Sequence, residues 1–441
     1  MALDFGHPDR SIDAARPVAP AARIQSIDVL RGVALMGILI INVNGFGLPF
    51  DAMHSPLPFD ESGANLWVWA IADVVVNGSM FAIFSMLFGA GVILFTCSPR
   101  NAPDVADRYY RRTIWLIIFG IVHAYLLLMP GDILFSYGVV GLFLFPLRRV
   151  RPWLLIVAAV IIFTGWGIIT FTEVRSAFNA HAVAAATGVI DSAESDAAAQ
   201  IAWQELAAQH VANPAAVQAE IDTHLGDYLT LFRMFAPENI YLQSIYLYTT
   251  SFWEVLSMML LGMGLYGLGI FSARRSATTY WGMIIVGYGV GVISRSWLMI
   301  RFLQDQTDPL PIILLDITYD TRLFIAFGHI GVVMLLCKAG VLRWLFAAFA
   351  AAGRMALTNY LMQTIICVTF FSGFGFGKFA SLERFELLYL VAAIWTVQLS
   401  LSAVWLRTFR FGPAEWLWRS LTYGQLQPLF AHSEVRSPVR S

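Results

Sequence analysis

Long apolar runs alternate with short polar segments along this chain, and most of the runs approach the length of a membrane-spanning helix. About 20 apolar residues are enough to cross a bilayer. No period-two strand pattern persists between the runs. The pattern therefore predicts an all-α, polytopic membrane bundle of about ten transmembrane helices, at 27–48, 79–97, 113–129, 133–147, 153–172, 252–271, 279–299, 321–337, 355–372 and 386–406.

Basic residues concentrate in every second predicted loop. The first loop of the opposite set holds Asp51, Asp60 and Glu61 and has no Lys or Arg. Cytoplasmic loops are enriched in Lys and Arg, so we expect both termini to be cytoplasmic, which an even number of spans allows. The basic set comprises Arg100, Arg108, Arg111, Arg112, Arg148, Arg149, Arg151, Arg274, Arg275, Lys338, Arg343, Arg407 and Arg410.

The polar segments divide the chain into five parts. Residues 1–22 lack the apolar region of a signal peptide and are predicted to be a disordered cytoplasmic tail. Residues 174–240, rich in Ala, Gln, Glu and Asp, are predicted to form a small extracytoplasmic helical insert. The insert separates an N-terminal transmembrane bundle at 23–173 from a C-terminal one at 241–424, and residues 425–441 are predicted to be a second disordered tail.

Composition supports a membrane protein and excludes some partners. Hydrophobic residues make up 58% of the chain and charged residues 13%, about half the charged share of soluble domains. The net charge of -1 gives no reason to expect a nucleic-acid partner, and the three cysteines show no metal-ligand spacing, so no metal is expected. The expected surroundings are the lipid bilayer, and glycine-rich spans allow a homodimer.

His123 and Asp132 are the strongest candidates for catalysis. His123 lies about 15 Å along its predicted span, close to the bilayer centre, and an imidazole titrates near neutral pH, as a general base must. Asp132 begins the next span after Pro130 and Gly131, where it could orient the histidine or a substrate hydroxyl. The structural alternatives are a histidine bonded to a neighbouring carbonyl and an aspartate that caps a helix.

Charged residues at the start of two spans form a second candidate site. Asp28 and Arg31 are three residues apart and share a helix face, so they can form a salt bridge, or Arg31 can bind a phosphate that enters from the cytoplasm. Arg354 lies at the same predicted mouth, followed by Asn359. Two arginines there would suit an anion of the coenzyme A type, whereas the alternative for Arg354 is a membrane anchor.

Further polar residues occur at membrane depth or near the outer surface. His329 could face the same cavity as His123 or could be a satisfied packing residue. Glu254 and Arg295 lie toward the outer side with Asp320 and Arg322, where opposite charges predict ion pairs or an outward vestibule. His54 lies in the first outer loop, where it could contact substrate or simply be solvated.

Several motifs together resemble the YeiB-like bacterial membrane proteins, which carry a C-terminal domain of unknown function. The resemblance covers most of residues 25–424, and it implies placement in the bacterial inner membrane and membership of the transmembrane acyltransferases. The motifs are IDVLRGVA at 27–34, SMLFGAG at 85–91, His123 with GDIL at 131–134, GRMALTNY at 353–360 and FGPAEWLWR at 411–419.

The resemblance implies that an acyl group, such as acetyl, passes from cytoplasmic acyl-CoA as co-substrate to a hydroxyl or amine of a small-molecule, sugar or lipid acceptor. A lysosomal relative uses a histidine in the loop after its first span, and His54 is nearest to that position. The residues around His54 differ, so His123 is preferred as the base. A proton-coupled transporter of a small molecule or lipid, or a non-catalytic membrane scaffold, would also account for the buried charges.

Overall fold

The chain forms a helical bundle. A computed structural model describes residues 25–54, 56, 62–97, 104–186, 213–305, 310–317 and 321–431, and these form helices with no β-sheet, only an isolated bridge between Phe409 and Phe430. The prediction of an all-α fold is therefore confirmed. The α-helices are α1 Gln25–Gly47, α2 Phe50–His54, α3 Gly63–Ile71, α4 Ser79–Thr96, α5 Val105–Ile121, α6 Ile133–Leu144, α7 Pro152–Ala186, α8 Pro214–His224, α9 Tyr228–Gln243, α10 Phe252–Gly267, α11 Ala277–Gln304, α12 Leu310–Ile317, α13 Arg322–Ala339, α14 Arg343–Arg354, α15 Ala356–Phe371, α16 Arg384–Thr408 and α17 Pro413–Tyr423.

Six helical stretches in the described ranges are long and apolar enough to cross a membrane. They are Gln25–Gly47, Gly63–Thr96, Pro152–Ile169, Ala277–Gln304, Arg322–Ala339 and Arg384–Thr408. Two shorter apolar helices, α6 and α15, also lie on predicted spans. Each of the ten apolar runs coincides with helical structure, because in lipid only a helix satisfies the backbone polar groups within a single segment.

Helix α1 lies at the centre of the bundle and packs against helices from both halves of the chain. Its neighbours include α4 from the first half and α14, α15 and α16 from the second. The two predicted bundles therefore share one apolar core, which includes Leu30, Ile83 and Ile330. Close packing is possible because glycines replace side chains at the contacts: a Cβ on Gly32 would lie 2.0 Å from the Phe349 carbonyl oxygen.

Helices α7 and α11 present apolar side chains outward. Ile161 on α7 and Ile285 on α11 are 66% and 67% exposed, as expected for side chains that contact lipid instead of protein. Helix α7 continues to Ala186, so it extends beyond the predicted end of its span and into the range assigned to the insert. The described remainder of that range contains α8 and most of α9.

At one end of the bundle, the start of α1 lies close to basic and aromatic residues of later helices. Ser26 Oγ donates to the Phe271 carbonyl, and Trp418 Nε1 donates to the Arg112 carbonyl. We call this end of the bundle, which holds Ser26, Arg112, Phe271 and Trp418, the basic end. Beyond residue 424 the chain returns to the bundle, where the Arg410 amide donates to the Leu429 carbonyl and the Ala431 amide donates to the Thr408 carbonyl. Residues 425–431 of the predicted tail are thus described and contact the end of α16, and residues 432–441 lie outside the described ranges.

Candidate functional site

A cavity of about 370 Å³ lies at the end of the bundle away from the basic end. Its volume falls within the range of small-molecule sites. Apolar side chains form much of the wall, and polar residues interrupt it at a few places, as is typical of such sites. The polar lining residues include Asn42, Asn77, Asp132, Gln243, Glu254 and Tyr360.

Two π-helical turns contribute residues to the wall of this cavity, and a third leads into a loop of the wall. The turn Ala72–Val76 lines the wall through Val76, and the turn Leu247–Ser251 lines it through Ser251. The turn Val122–Leu126 precedes the loop that forms another part of the wall. Such turns are rare and occur frequently at functional sites. Their convergence on one cavity marks it as the candidate site.

His123 lies on the second of these turns and is fully buried. Its Nδ1 is 2.6 Å from Asp132 Oδ1, and its Nε2 is 2.8 Å from Thr364 Oγ1. In the neutral tautomer that fits this arrangement, Nδ1–H donates to the carboxylate and Nε2 accepts from the hydroxyl. The ring also meets Tyr360 edge to face, with centroids 4.8 Å apart. The predicted neighbourhood of His123 and Asp132 is thus present.

Asp132 has two roles in this arrangement. Its Oδ2 accepts the Phe135 amide at 2.9 Å, which caps α6, while Oδ1 contacts His123. The carboxylate is fully buried, so only the main chain of Asp132 contributes to the cavity wall. The helix-cap alternative for Asp132 therefore applies, and the same carboxylate is also the partner of His123. The alternative for His123 does not apply, because its ring nitrogens contact Asp132 and Thr364 and not a backbone carbonyl.

The turn between His123 and Asp132 is conformationally strained. Leu128 has φ 59° and Gly131 has φ 72°. A left-handed conformation suits glycine but costs a leucine roughly 1–2 kcal/mol. Leu128 is nevertheless only 1% exposed, which shows that packing holds it in place. Strain of this kind concentrates at functional sites, and here it lies in the segment that connects His123 to Asp132 and contributes Met129 and Gly131 to the cavity wall.

At the basic end, Arg31 Nη1 is 3.0 Å from Asp28 Oδ1 and 3.5 Å from the Gly353 carbonyl. The predicted salt bridge is confirmed, and Arg354 follows directly at the end of α14. Arg31 lies about 17 Å along α1 from Asn42 at the cavity. Asn359 donates to the Ala352 carbonyl and to Ser402 Oγ, so its amide joins helices together.

Glu415 anchors α17 to the N-terminus of α15. One carboxylate oxygen accepts the Leu357 and Thr358 amides, and the other contacts the Thr358 hydroxyl. Burial raises the pKa of the Glu415 carboxyl above its ordinary value, although these hydrogen bonds oppose the increase. The two C-terminal motifs identified in the sequence therefore contact each other directly.

The remaining predicted residues separate into different environments. His329 Nε2 donates to the Val75 carbonyl, and its Nδ1 contacts the Tyr288 hydroxyl at 2.8 Å. Arg295 is an ion-pair partner of Asp73 and does not line the cavity, whereas Glu254 does. His54 ends α2, and its side chain lies outside the described part of the structure, as does Asp320.

Two residues of this region were missed in the sequence. Thr364, which completes the chain of hydrogen bonds at His123, is a small hydroxyl inside an apolar run and gives no signal there. Asp73 could have been found, since it is a lone carboxylate within the apolar stretch 66–76. A charge in such a run usually marks a site or an ion pair.

Comparison with known proteins identifies relatives over nearly the whole chain. Residues 265–425 match a family described as "Protein of unknown function (DUF418)". The uncharacterized protein YeiB of Escherichia coli is 30% identical over 410 residues, which cover 90% of this chain and 95% of YeiB. The uncharacterized protein YxaH of Bacillus subtilis is 28% identical over 438 residues, covering 95% of this chain and 99% of YxaH. No solved structure matches the chain. The identity with YeiB extends across both halves of the bundle, and the chain therefore belongs to the YeiB family.

Proposed function

We propose that this protein is a membrane acyltransferase that moves an acyl group, such as acetyl, from cytoplasmic acyl-CoA to a hydroxyl or amine acceptor bound in the cavity. The main observation in support of the proposal is the hydrogen-bonded His123–Asp132 pair beside a cavity of about 370 Å³. A histidine oriented by a carboxylate is a common general base. Here the pair lies against a ligand-sized space bounded by π-helical turns.

The proposed reaction balances with one proton transfer in each direction. The acceptor oxygen or nitrogen attacks the thioester carbonyl, its proton passes to His123, and the departing thiolate takes that proton to leave as coenzyme A. His123 and Asp132 are sealed in the present conformation. Rearrangement of the strained turn at Leu128 would therefore precede reaction and bring the imidazole to the acceptor.

Acyl-CoA would enter from the basic end. Arg31, which is paired with Asp28, and Arg354 would together bind a phosphate group of acyl-CoA. This requires a topology with about ten spans, both termini in the cytoplasm, and the cavity in the outer half of the bacterial inner membrane. The basic residues that cluster around the start of α1 support that orientation.

The test measures acetyl-CoA binding and acetyl transfer or thioester hydrolysis by the purified protein in detergent. We expect His123→Gln to lower the turnover about 100-fold or more, because it removes the base, while acetyl-CoA affinity stays the same. His224→Gln is the control: His224 is also buried, but it stacks on Phe379 and does not line the cavity. Absence of acetyl-CoA binding in the wild type, or equal turnover in the His123 variant, would refute the proposal.

A proton-coupled transporter is the second candidate, and one observation favours it. His123 and Asp132 are sealed and bonded to each other, as in the carboxylate–histidine relays of membrane pumps. Reconstituted into liposomes, a transporter would move protons along a pH gradient without acyl-CoA, and His123→Gln would stop that movement. An acyltransferase would show no such flux.

A further inference from the structure

Two arginines near the start of α5 have no carboxylate partner among the described residues. Arg108 and Arg112 are one helical turn apart, so they share a face of the helix, and neither forms an ion pair there. Arg111 lies between them in the chain, but it pairs with Asp107 and both side chains are exposed. The face of α5 that contacts the aromatic rings of α17 therefore carries two positive charges without a described counter-charge.

Aromatic rings hold the Arg112 side chain in place. Its guanidinium carbon lies 4.9 Å from the centre of the Phe95 ring and 4.5 Å from that of Trp418. The Trp418 indole is itself fixed, because its Nε1 donates to the Arg112 carbonyl. A guanidinium that packs on rings by its face keeps the N–H groups of its edge for hydrogen bonds. The half-buried Arg112 side chain donates none of them to a described residue.

Neighbouring arginines make the place more positive still. Arg108 lies over the Tyr423 ring, and its Nη1 is buried without a hydrogen bond to a described residue. Arg31 and Arg419 are close enough to Arg112 to repel it. Like charges in a partly buried position are unfavourable unless an anion balances them. Arginine forks fit the oxygens of a phosphate group especially well, so a phosphate group is the anion that this cluster favours.

The surroundings favour the phosphate of a membrane lipid over a dissolved one. Farther along α5, Ile114 and Ile118 are exposed, as expected for side chains that contact lipid. Acyl chains that lie along this side of α5 would bring their headgroup to the level of the arginines. Trp418 lies at that level too, and tryptophan is enriched at membrane–water interfaces. Basic pockets between membrane helices bind anionic headgroups in this way.

We propose that Arg108 and Arg112, between α5 and α17, form a binding site for the phosphate group of an anionic phospholipid. Arg112 donates to the phosphate oxygens from the edge of its guanidinium, and Arg108 supplies the second positive charge. The site is distinct from Arg31 and Arg354, to which the acyl-transfer proposal assigns the phosphate of acyl-CoA. Lipid binding requires neither acyl-CoA nor His123, so the two proposals can fail separately.

The test compares three probes on the full-length protein in a non-ionic detergent: dioleoyl phosphatidylglycerol, dioleoyl phosphatidylcholine and glycerol 3-phosphate. Affinity is measured by native mass spectrometry, supported by ligand-induced shifts in melting temperature. We expect phosphatidylglycerol to bind about tenfold or more tightly than phosphatidylcholine, whose own cation balances its phosphate. Equal binding of the two lipids would overturn the proposal. Glycerol 3-phosphate binding as tightly as phosphatidylglycerol would also overturn it, because the site would then take a dissolved phosphate.

Two substitutions locate the headgroup. Arg112→Gln should weaken phosphatidylglycerol about tenfold and leave phosphatidylcholine unchanged, which also shows that the variant folds. Arg407→Gln is the charge-matched control, because Arg407 is an exposed arginine in the last turn of α16. Unchanged phosphatidylglycerol affinity in the Arg112 variant, or an equal loss in the Arg407 variant, would overturn the assignment. A loss of acetyl-CoA affinity instead of lipid affinity in Arg112→Gln would also overturn it and would assign Arg112 to the acyl-CoA site.

Discussion

Asp73 joins two arginines inside the protein. Its Oδ2 is 2.6 Å from Arg295 Nη2, and its Oδ1 is 2.8 Å from Arg322 Nη2. The side chains of the two arginines are 0% and 4% exposed, and Asn77 adds a further hydrogen bond to the same carboxylate. Charges this deep in an apolar protein need a partner, since desolvation is otherwise too costly. One aspartate on the first π-helical turn therefore ties it to α11 and α13.

We expect Asp73→Asn to lower the free energy of unfolding by about 3–5 kcal/mol, because it leaves two buried guanidinium groups without their shared carboxylate. The measurement is thermal or denaturant unfolding in detergent. Asp107→Asn is the control: the Asp107–Arg111 pair has 56% and 51% exposed side chains, and such pairs contribute less than about 1 kcal/mol. Similar losses in the two variants would show that the Asp73 cluster is not a structural centre.

At the level of elements, contacts between helices depend on glycines that allow backbones to approach each other. A Cβ at Gly32 of α1 would lie 2.0 Å from the carbonyl oxygen of Phe349 on α14. In the other direction, a Cβ at Gly353 of α14 would lie 2.0 Å from the carbonyl oxygen of Asp28 on α1. The contact between α1 and α14 is therefore reciprocal, and it places the Arg31 guanidinium 3.5 Å from the carbonyl of Gly353, which precedes Arg354 in the chain. Packing of small residues is the main device by which membrane helices associate closely.

Gly32→Ala should destabilise the protein by roughly 1–3 kcal/mol, since α1 and α14 must move apart to admit the methyl group. Gly289→Ala is the matched control on α11, where a new Cβ meets nothing within 4 Å; there alanine should be neutral or stabilising because it favours helix. Melting temperatures of the two variants in the same detergent provide the comparison. A Gly32 variant as stable as the Gly289 variant would contradict the packing argument.

Over the whole molecule, the ten apolar runs predicted the positions of the helices that coincide with them. They did not predict the π-helical turns or the helices α14 and α17, whose 12 and 11 residues are too few to register as spans. The pairing of His123 with Asp132 could be expected because the two residues are only nine positions apart in the chain. The contacts of His123 with Thr364 and of Asp73 with Arg322 join residues 241 and 249 positions apart, which one sequence does not reveal.

The proposed orientation can be tested with one native and one introduced cysteine. Cys97 is exposed just after α4, near the basic end. Ser381 is exposed between α15 and α16 at the opposite end. The neighbouring Ala380 amide donates to the carbonyl of Gly47, the last residue of α1, which places this loop at that end. If the basic end is cytoplasmic, a membrane-impermeant maleimide added to spheroplasts should label Ser381→Cys. It should leave Cys97 unlabelled until the membrane is permeabilised. Labelling of Cys97 in intact spheroplasts would reverse the orientation, and acyl-CoA would then have no cytoplasmic route to the arginines of α1 and α14.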